Sequence, residues 1–263
     1  MRPVRTQRGS VIGGLLKWIG IAILAWVGIG SVAVLLLRWL NPLSSAFMLT
    51  ATVAAISSHD ARYQTDYRWV SLEHISPHAA LAVIASEDQL FPFHSGFDLN
   101  SIREAVRASE RGRRLRGAST ISQQVAKNLF LWSGHSFARK GLEAWFTVLI
   151  EAMWPKERIL EVYLNIIQLG TGIYGVEAAS QRYFHKPAAQ LSSSEAAVLA
   201  AVLPNPLRMH ADNPSAYVLS RRDDILSQMR GLGGSSYLQA VERDEKTATA
   251  ARRAPEHTQE GAR

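Results

Sequence analysis

The stretch Ser76-Pro77-His78-Ala79-Ala80-Leu81-Ala82-Val83-Ile84-Ala85-Ser86-Glu87-Asp88 joins a helix start, an apolar run and two adjacent carboxylates. Ser76 suits the N-cap of a helix and Pro77 suits its first turn. A carboxylate beside apolar surface tends to have its pKa raised toward the working pH, which suits a general acid or base. Glu87 with Asp88 could equally be a surface acid pair at a solvated helix end, and the local sequence leaves both interpretations open.

Helical signals continue along the chain, and convincing strand patterns are scarce. Three Ser or Thr residues are each followed three positions later by Glu or Gln, which is the pattern of a capping box: Ser101 with Glu104, Thr120 with Gln123, and Ser192 with Glu195. A long helix is expected over residues 137–153. The next is expected to start at Pro155 and to run through Leu169 until Gly170-Thr171-Gly172 ends it. The predicted class is therefore mainly α.

The composition of the chain indicates the kind of molecule that the protein binds and excludes some kinds of site. The 263 residues suffice for one catalytic domain with appendages. A formal net charge of +7 indicates an anionic partner, such as nucleic acid, acidic lipid or a phosphorylated substrate. The chain has no cysteine, which excludes a disulfide framework and cysteine-based zinc or redox sites.

Residues 18–37 form an apolar stretch between Lys17 and Arg38. About 20 apolar residues are needed to cross a bilayer as a helix. The stretch is longer than the apolar core of a signal peptide, which has about 7–15 residues, although small residues at Ser44-Ser45-Ala46 leave cleavage open. We predict a cytoplasmic N-terminus over residues 1–17, a transmembrane helix over 18–38 and a juxtamembrane connection over 39–70.

Basic residues precede this stretch, which by the positive-inside rule keeps the N-terminus in the cytoplasm and places the rest outside: Arg2, Arg5, Arg8 and Lys17. That orientation disfavours nucleic acid as the anionic partner and favours lipid phosphate.

A second motif is Gly117-Ala118-Ser119-Thr120-Ile121-Ser122-Gln123-Gln124-Val125-Ala126-Lys127-Asn128. On a helix, Gln124 and Lys127 would share the polar face. The free N–H groups and partial positive charge at the helix start suit an anion such as phosphate, and upstream arginines, including Arg116, add charge. An ordinary capped helix beside a solvated basic loop fits these residues as well. A third motif, Arg139-Lys140-Gly141-Leu142-Glu143, is by itself typical of a surface ion pair.

In this order, the motifs resemble those of the peptidoglycan glycosyltransferases that occur alone or fused to penicillin-binding transpeptidases. The matching runs are Glu87-Asp88…Phe91…His94…Gly96, the second motif, Arg139-Lys140…Glu143, Lys156…Ile159-Leu160-Glu161…Tyr163-Leu164-Asn165 and, more loosely, Arg221…Ile225-Leu226…Met229. They cover residues 71–229. Since the chain contains no Ser-x-x-Lys for a transpeptidase, it is most similar to the monofunctional, single-span members.

The resemblance implies a lysozyme-like glycosyltransferase domain over residues 71–234 with a smaller membrane-associated lobe, after one N-terminal transmembrane helix. Residues 235–263 are predicted to be a disordered tail, because few large apolar residues remain there, above all past about Val241. The implied location is the bacterial inner membrane, with a single pass, a cytoplasmic N-terminus and a periplasmic catalytic domain.

The implied reaction polymerises lipid II into β-1,4-linked glycan with inversion and releases undecaprenyl pyrophosphate. By the resemblance, Glu87 removes the proton of the acceptor 4-hydroxyl. Glu143 assists at the pyrophosphate, either directly or through a divalent cation (Mg²⁺ or Mn²⁺), and no tightly bound cofactor is implied. The residues implied to bind substrate are Asp88, His94, Arg116, Ser119, Thr120, Gln123, Gln124, Lys127, Asn128, Arg139 and Lys140.

The implied partners are lipid II, the growing glycan chain, membrane lipid and other proteins of cell-wall synthesis and division, without nucleic acid. Two other interpretations remain open. A lysozyme or lytic transglycosylase of the same fold also needs a Glu after an apolar helix, but it does not need Lys127, Arg139 and Lys140 gathered for a pyrophosphate. A non-catalytic membrane-tethered scaffold would tolerate neutral residues in place of the motif carboxylates.

Overall fold

The computed structural model describes residues 8–99, 103, 119–134 and 136–242. The chain divides into two compact units, Met1–Leu40 and Asn41–Arg263. In the first unit, helix α1 spans Arg8–Leu37 and contains the apolar span Leu16–Leu37. Its 22 residues correspond to a helix of about 33 Å, which matches the hydrocarbon thickness of a bilayer. The predicted apolar helix is therefore confirmed in length and composition, although it starts at Arg8 rather than at residue 18.

The second unit is mainly helical, as predicted. Its elements in chain order are α2 Ala46–Ser57, β1 Asp66–Tyr67, a 3₁₀ turn Leu72–His74, α3 Pro77–Glu87, a 3₁₀ turn Phe91–Phe93, α4 Ile121–Phe130, α5 Phe137–Met153, α6 Lys156–Ile166, β2 Gln168–Gly170, β3 Ile173–Tyr174, α7 Val176–Phe184, a 3₁₀ turn Ala188–Gln190, α8 Ser193–Val202, α9 Ala216–Gly231 and a 3₁₀ turn Gly234–Tyr237.

Capping side chains set the starts of these helices where the sequence places them. The Thr120 hydroxyl accepts the Gln123 N–H at 3.2 Å, and the Gln123 side chain accepts the Thr120 N–H at 3.0 Å. Ser192 and Glu195 make the same reciprocal pair at the start of α8. Ser76 caps α3 through the N–H two residues on. Each such cap contributes about 1 kcal/mol to the helix that it starts.

Helix α3 is buried on every side. Residues 79–85 are each at most 3% exposed, because α8 and α9 pack against this helix. Burying each Leu, Ile or Val side chain contributes roughly 1.5–3 kcal/mol, so α3 is fixed firmly in the core. Helix α4 packs separately against α5 and α6. Because α3 ends at Glu87, this carboxylate stands at the edge of a rigid apolar core.

The predicted course of the chain after α6 is wrong. Helix α6 ends at Ile166, and the residues that follow form β2 and β3 instead of a further helical turn. The three strands have the order β1-β3-β2, with β1 parallel and β2 antiparallel to β3. Gly172 has φ +71°, and a Cβ there would lie 2.1 Å from the Gln64 carbonyl oxygen. The glycines therefore permit a tight hairpin close to β1, and Leu169 is buried in a strand.

Residues 39–70 were predicted to be a connection, but most of them belong to the second compact unit. Helix α2 packs against α4, and β1 pairs with β3. The start of the predicted tail at residue 235 is also too early. Tyr237 donates its hydroxyl to the Gln89 carbonyl and places its ring edge-on to Phe93, and Val241 is buried.

Three predictions lie outside the described residues. They are the capping box of Ser101 with Glu104, the substrate contact of Arg116 together with its neighbouring arginines, and the tail over residues 243–263.

Candidate active site

Glu87 is a half-buried carboxylate held by α4. Gln124 Nε2 donates to its Oε2 at 2.9 Å. Burial raises the pKa of Glu87 above its ordinary value of 4.5, while the hydrogen bond from Gln124 and the charges of Arg221 and Lys127 work in the opposite direction. Such an environment suits a group that takes up and gives up a proton near neutral pH. The interpretation of Glu87 and Asp88 as a solvated surface pair is therefore wrong.

Asp88 and His94 join the loop after Glu87 to the start of α4. The Gly96 N–H donates to His94 Nδ1 at 3.1 Å, so His94 Nε2 carries the proton and donates to Asp88 Oδ1 at 2.9 Å. Asp88 Oδ2 accepts the Ile121 N–H at 2.9 Å. Both side chains were predicted to contact substrate, and this stays a prediction. The hydrogen bonds give Asp88 and His94 a positioning role, because they fix Asp88, which follows Glu87 directly in the chain.

The other predicted residues at the start of α4 differ in accessibility. Thr120 donates its hydroxyl to the Gly96 carbonyl at 2.7 Å and, with Gln123, forms the capping box, so these two side chains hold the helix start in place. Asn128 is buried one helical turn after Gln124, whereas Ser119 is exposed just before the helix. Of these four, Ser119 is the one whose side chain is open to a ligand.

Gln124 connects Glu87 to Tyr163, which was identified in the sequence only as a member of a motif. Its Nε2 donates to Glu87, and its Oε1 accepts the Tyr163 hydroxyl at 3.1 Å. Tyr163 is fully buried in α6. Burial and the nearby carboxylates of Glu87 and Asp88 raise the pKa of Tyr163 well above 10.0, so its hydroxyl stays protonated. A tyrosine inside an apolar helix was the available signal, since a buried hydroxyl needs a partner.

A cationic cluster, formed by Lys127, Arg139 and Lys140, surrounds the buried carboxylate of Glu143. Arg139 Nη1 donates to Glu143 Oε2 at 3.1 Å, and Lys140 Nζ donates to Glu143 Oε1. Burial lowers the pKa of Lys127 below 10.5, and the positive charges of Arg139 and Lys140 lower it further. Glu143 is 3% exposed, so the interpretation of the Lys140–Glu143 pair as a simple surface pair is wrong.

The cluster carries more positive than negative charge, since three cations face one carboxylate. Arg139 Nε is buried and has no hydrogen-bond partner within the described ranges. Lys127 also interacts with Glu87, because the negative charge of Glu87 raises the pKa of Lys127. The cluster and the catalytic candidate therefore belong to one site. Excess positive charge with a free donor suits phosphate groups, which accept charge-assisted hydrogen bonds.

The residues around Glu143 do not fit a divalent cation. Both of its carboxylate oxygens already accept hydrogen bonds from Arg139 and Lys140. The described part of the chain holds no group of three or more His, Cys, Asp or Glu side chains placed to share a metal ion. Mg²⁺ prefers several oxygen ligands, whereas this site offers one carboxylate among three cations. The suggested role of Glu143 as a metal ligand therefore has no support in the donor set.

Behind the site lies a buried polar network that the sequence analysis missed. Lys156 Nζ contacts Glu151 Oε1 at 2.8 Å and donates to the His94 carbonyl at 2.5 Å, and it lies 4.7 Å from the centre of the Phe91 ring. Ser122 donates its hydroxyl to the same Glu151 oxygen. The network joins α4, α5, the start of α6 and the His94 loop. Glu151 follows the apolar run of α5, which was the signal that could have revealed a buried acid.

Known proteins resemble this chain over most of its length. The family described as Transglycosylase matches residues 53–230. A biosynthetic peptidoglycan transglycosylase of Cronobacter sakazakii is 54% identical over 231 residues, which cover 88% of this chain and 96% of that protein. Proteins of the same description from Pectobacterium carotovorum and Shigella boydii are 51% and 57% identical, covering 87% and 76% of this chain and 96% and 83% of theirs. With more than half of its length matched and relatives this similar, the chain belongs to the transglycosylase family.

Proposed function

We propose that this protein polymerises lipid II into the β-1,4-linked glycan strands of peptidoglycan, with inversion at the donor sugar and release of undecaprenyl pyrophosphate. One observation carries the proposal: the half-buried carboxylate of Glu87, whose pKa is raised, shares a site with the cationic cluster. Transfer of a sugar from a pyrophosphate donor requires a base for the acceptor hydroxyl and positive charge that binds the phosphates. The relatives, named as biosynthetic peptidoglycan transglycosylases, support this reading.

In the proposed reaction, Glu87 acts on the acceptor sugar. The donor is α-linked to pyrophosphate and the product is β-linked, so a single displacement with one base accounts for the inversion. Glu87 takes the proton of the acceptor 4-hydroxyl as that oxygen attacks the donor anomeric carbon. Gln124 holds one oxygen of the Glu87 carboxylate at 2.9 Å, which leaves the other oxygen for the proton.

The cationic cluster acts on the leaving group. As the bond between the sugar and the pyrophosphate breaks, negative charge grows on the phosphate oxygen, and fixed positive charges stabilise it. Lys127, Arg139 and Lys140 supply those charges. Glu143 holds Arg139 and Lys140 through two hydrogen bonds, so its role in the proposal is to position them. The proposal contains no step through a metal ion.

We propose further that α1 anchors the protein in the bacterial inner membrane by a single pass, with its N-terminus in the cytoplasm and the catalytic unit in the periplasm. The length and apolar character of Leu16–Leu37 support the anchor. The basic residues before this span support the orientation. The anchor then keeps the enzyme at the membrane surface where its lipid substrate is found. At that surface its proposed partners are membrane lipid and other cell-wall synthesis proteins.

The experiment that tests the function uses the full-length protein with labelled lipid II. Glu87→Gln keeps the size of the side chain and removes the base, so polymerisation should fall by about 10²–10⁴-fold while lipid II still binds. Glu73→Gln is the matched control, because Glu73 is exposed on a 3₁₀ turn away from the site, and it should leave the rate unchanged.

Two outcomes would contradict the proposal. Near-normal polymerisation by Glu87→Gln would remove Glu87 as the base. Release of soluble fragments from finished peptidoglycan, without polymer from lipid II, would identify a hydrolase of the same fold instead.

A further inference from the structure

The side-chain amide of Gln124 is held between two partners, the buried hydroxyl of Tyr163 and the carboxylate of Glu87. We propose that Tyr163 is a positioning residue for Glu87: its hydroxyl fixes the Gln124 side chain so that the NH₂ group, and not the carbonyl oxygen, points at the Glu87 carboxylate. This inference rests on the proposed function, in which Glu87 is the base. It assigns to Tyr163 a part in the reaction although Tyr163 lies behind Gln124 and does not touch the substrate.

The two ends of the Gln124 amide differ in the hydrogen bonds that they make. The amide NH₂ donates hydrogen bonds and the carbonyl oxygen accepts them, and the two ends have nearly the same size, so packing alone does not choose between them. Tyr163 is fully buried and its hydroxyl donates to Gln124 Oε1 at 3.1 Å. With Oε1 held there, Nε2 must face Glu87, and it lies 2.9 Å from Glu87 Oε2. A reversed amide would set its oxygen against the carboxylate and would leave the buried hydroxyl without its acceptor.

The surroundings of Glu87 explain why this orientation affects the chemistry. The groups that act on Glu87 come from four parts of the fold: Asp88 beside it, Gln124 and Lys127 on α4, Tyr163 on α6 and Arg221 on α9. Burial raises the pKa of Glu87, and the amide of Gln124 is the first of the groups that oppose this effect. The charge on Glu87 therefore depends on a neutral donor, and the direction of that donor depends on Tyr163.

The rest of α6 shows what the hydroxyl adds. Several of the large side chains buried along this helix are apolar, among them Ile159, Leu160 and Leu164. A phenylalanine at position 163 would fill the same space without a polar atom that needs a partner. Tyr163→Phe therefore removes the hydroxyl and keeps the ring, so the change separates orientation of the amide from packing.

The test measures polymerisation of lipid II by the full-length protein across a range of pH. In Tyr163→Phe the amide oxygen of Gln124 loses the donor that anchors it, so the side chain is held less firmly against Glu87. The carboxylate then loses part of its hydrogen bond, and the pKa of Glu87 rises. We expect the acidic limb of kcat/KM to move up by about half a pH unit and kcat to fall about fivefold, with KM nearly unchanged. Tyr174→Phe is the matched control, since Tyr174 is equally buried but its hydroxyl faces Tyr63 at 3.4 Å, and its acidic limb should stay in place.

A second comparison asks whether Tyr163 acts through Gln124. In a Gln124→Ala background no amide remains to be oriented, so adding Tyr163→Phe should not move the acidic limb further. A further shift in that background would mean that Tyr163 acts by packing, which overturns the inference. An unmoved limb in the folded Tyr163→Phe protein also overturns it.

The remaining outcomes separate this inference from the proposed function. If the unaltered protein makes no polymer from lipid II, the proposed function itself fails. If Glu87→Gln polymerises lipid II normally, Glu87 is not the base, and the role of Tyr163 falls with that assignment. If Glu87→Gln is inactive and Tyr163→Phe keeps the limb of the unaltered protein, only the role of Tyr163 fails. Should Tyr163→Phe not fold, 3-fluorotyrosine placed at position 163 supplies a stronger donor of nearly the same shape. It should move the limb downward, and an unchanged limb would count against the proposal.

Discussion

The charge on Glu87 depends on residues that are far apart in the chain. Gln124, Lys127 and Arg221 each lower the pKa that burial raises, and they come from α4 and α9. The local sequence predicted a carboxylate at the end of an apolar helix, and this is confirmed. It could not decide whether that helix end was solvated, because the answer depends on packing by α8, α9 and α4. For the same reason, Tyr163 could be seen as a motif residue but not as a neighbour of Gln124.

The raised pKa of Glu87 also has a consequence for stability. Between the ordinary value of 4.5 and its pKa in the folded protein, the folded state binds more protons than the unfolded state. Stability therefore falls as the pH rises through this window, and the full cost of the buried charge is present above it. Glu87→Gln removes that charge and keeps an oxygen that can accept from Gln124. We expect Glu87→Gln to melt at a higher temperature than the unaltered protein above this window, by about 2–4 °C for each kcal/mol gained.

Thermal unfolding followed at several pH values checks this prediction. The advantage of Glu87→Gln should shrink as the pH falls through this window and should vanish below 4.5, where Glu87 is protonated in both states. Glu73→Gln should show no such trend, because Glu73 is exposed. A lower melting temperature for Glu87→Gln at pH 7 would contradict the account of a strained, buried charge.

At the scale of elements, the sequence predictions are accurate where neighbouring residues determine the structure and fail where residues distant in the chain determine it. Helix starts depend on residues three positions apart, so the capping boxes of α4 and α8 and the bounds Phe137–Met153 of α5 are confirmed. The pairing of β1 with β3 was missed because it joins residues about a hundred positions apart. Apolar residues at helical spacing in α6 also continue into β2, and spacing alone cannot show where the backbone turns.

The buried pair of Lys156 and Glu151 joins α5, α4 and the His94 loop, which leads to a prediction about these elements. Lys156→Met removes one charge and leaves Glu151 buried without it, although the Ser122 hydroxyl still donates. Breaking a buried pair in this way costs about 3–5 kcal/mol, and chemical denaturation should show a loss of that size. Lys156→Met combined with Glu151→Gln removes both charges and should be clearly more stable than Lys156→Met alone. A double variant as unstable as the single one would mean that shape, rather than charge, is what the network provides.

At the scale of the whole molecule, the order of the motifs predicted more than any motif did alone. Each run had an ordinary structural interpretation, but together they resembled one family, to which the chain belongs. Their spacing along the chain reflects how α3, α4, α5, α6 and α9 bring Glu87 to the cationic cluster. The metal suggestion at Glu143 lacked this support, because the sequence could not show that Arg139 and Lys140 occupy both carboxylate oxygens.

The division of the chain into two units predicts what the N-terminal helix contributes. Residues 41–263 form a compact unit with their own buried core, so a protein that begins at residue 41 should melt at the same temperature as the full-length protein. Without the span Leu16–Leu37 it must find lipid II in the bilayer by diffusion from solution. Confinement to the substrate's own surface can raise an effective concentration by about 10²–10⁴-fold. Polymerisation from lipid vesicles should therefore fall by about 100-fold, whereas polymerisation of lipid II in detergent should change little. A full-length variant with residues 16–37 in reversed order keeps the apolar length and should retain the rate on vesicles. If the shortened protein matches the full-length protein on vesicles, the apolar helix does not serve to bring enzyme and substrate together.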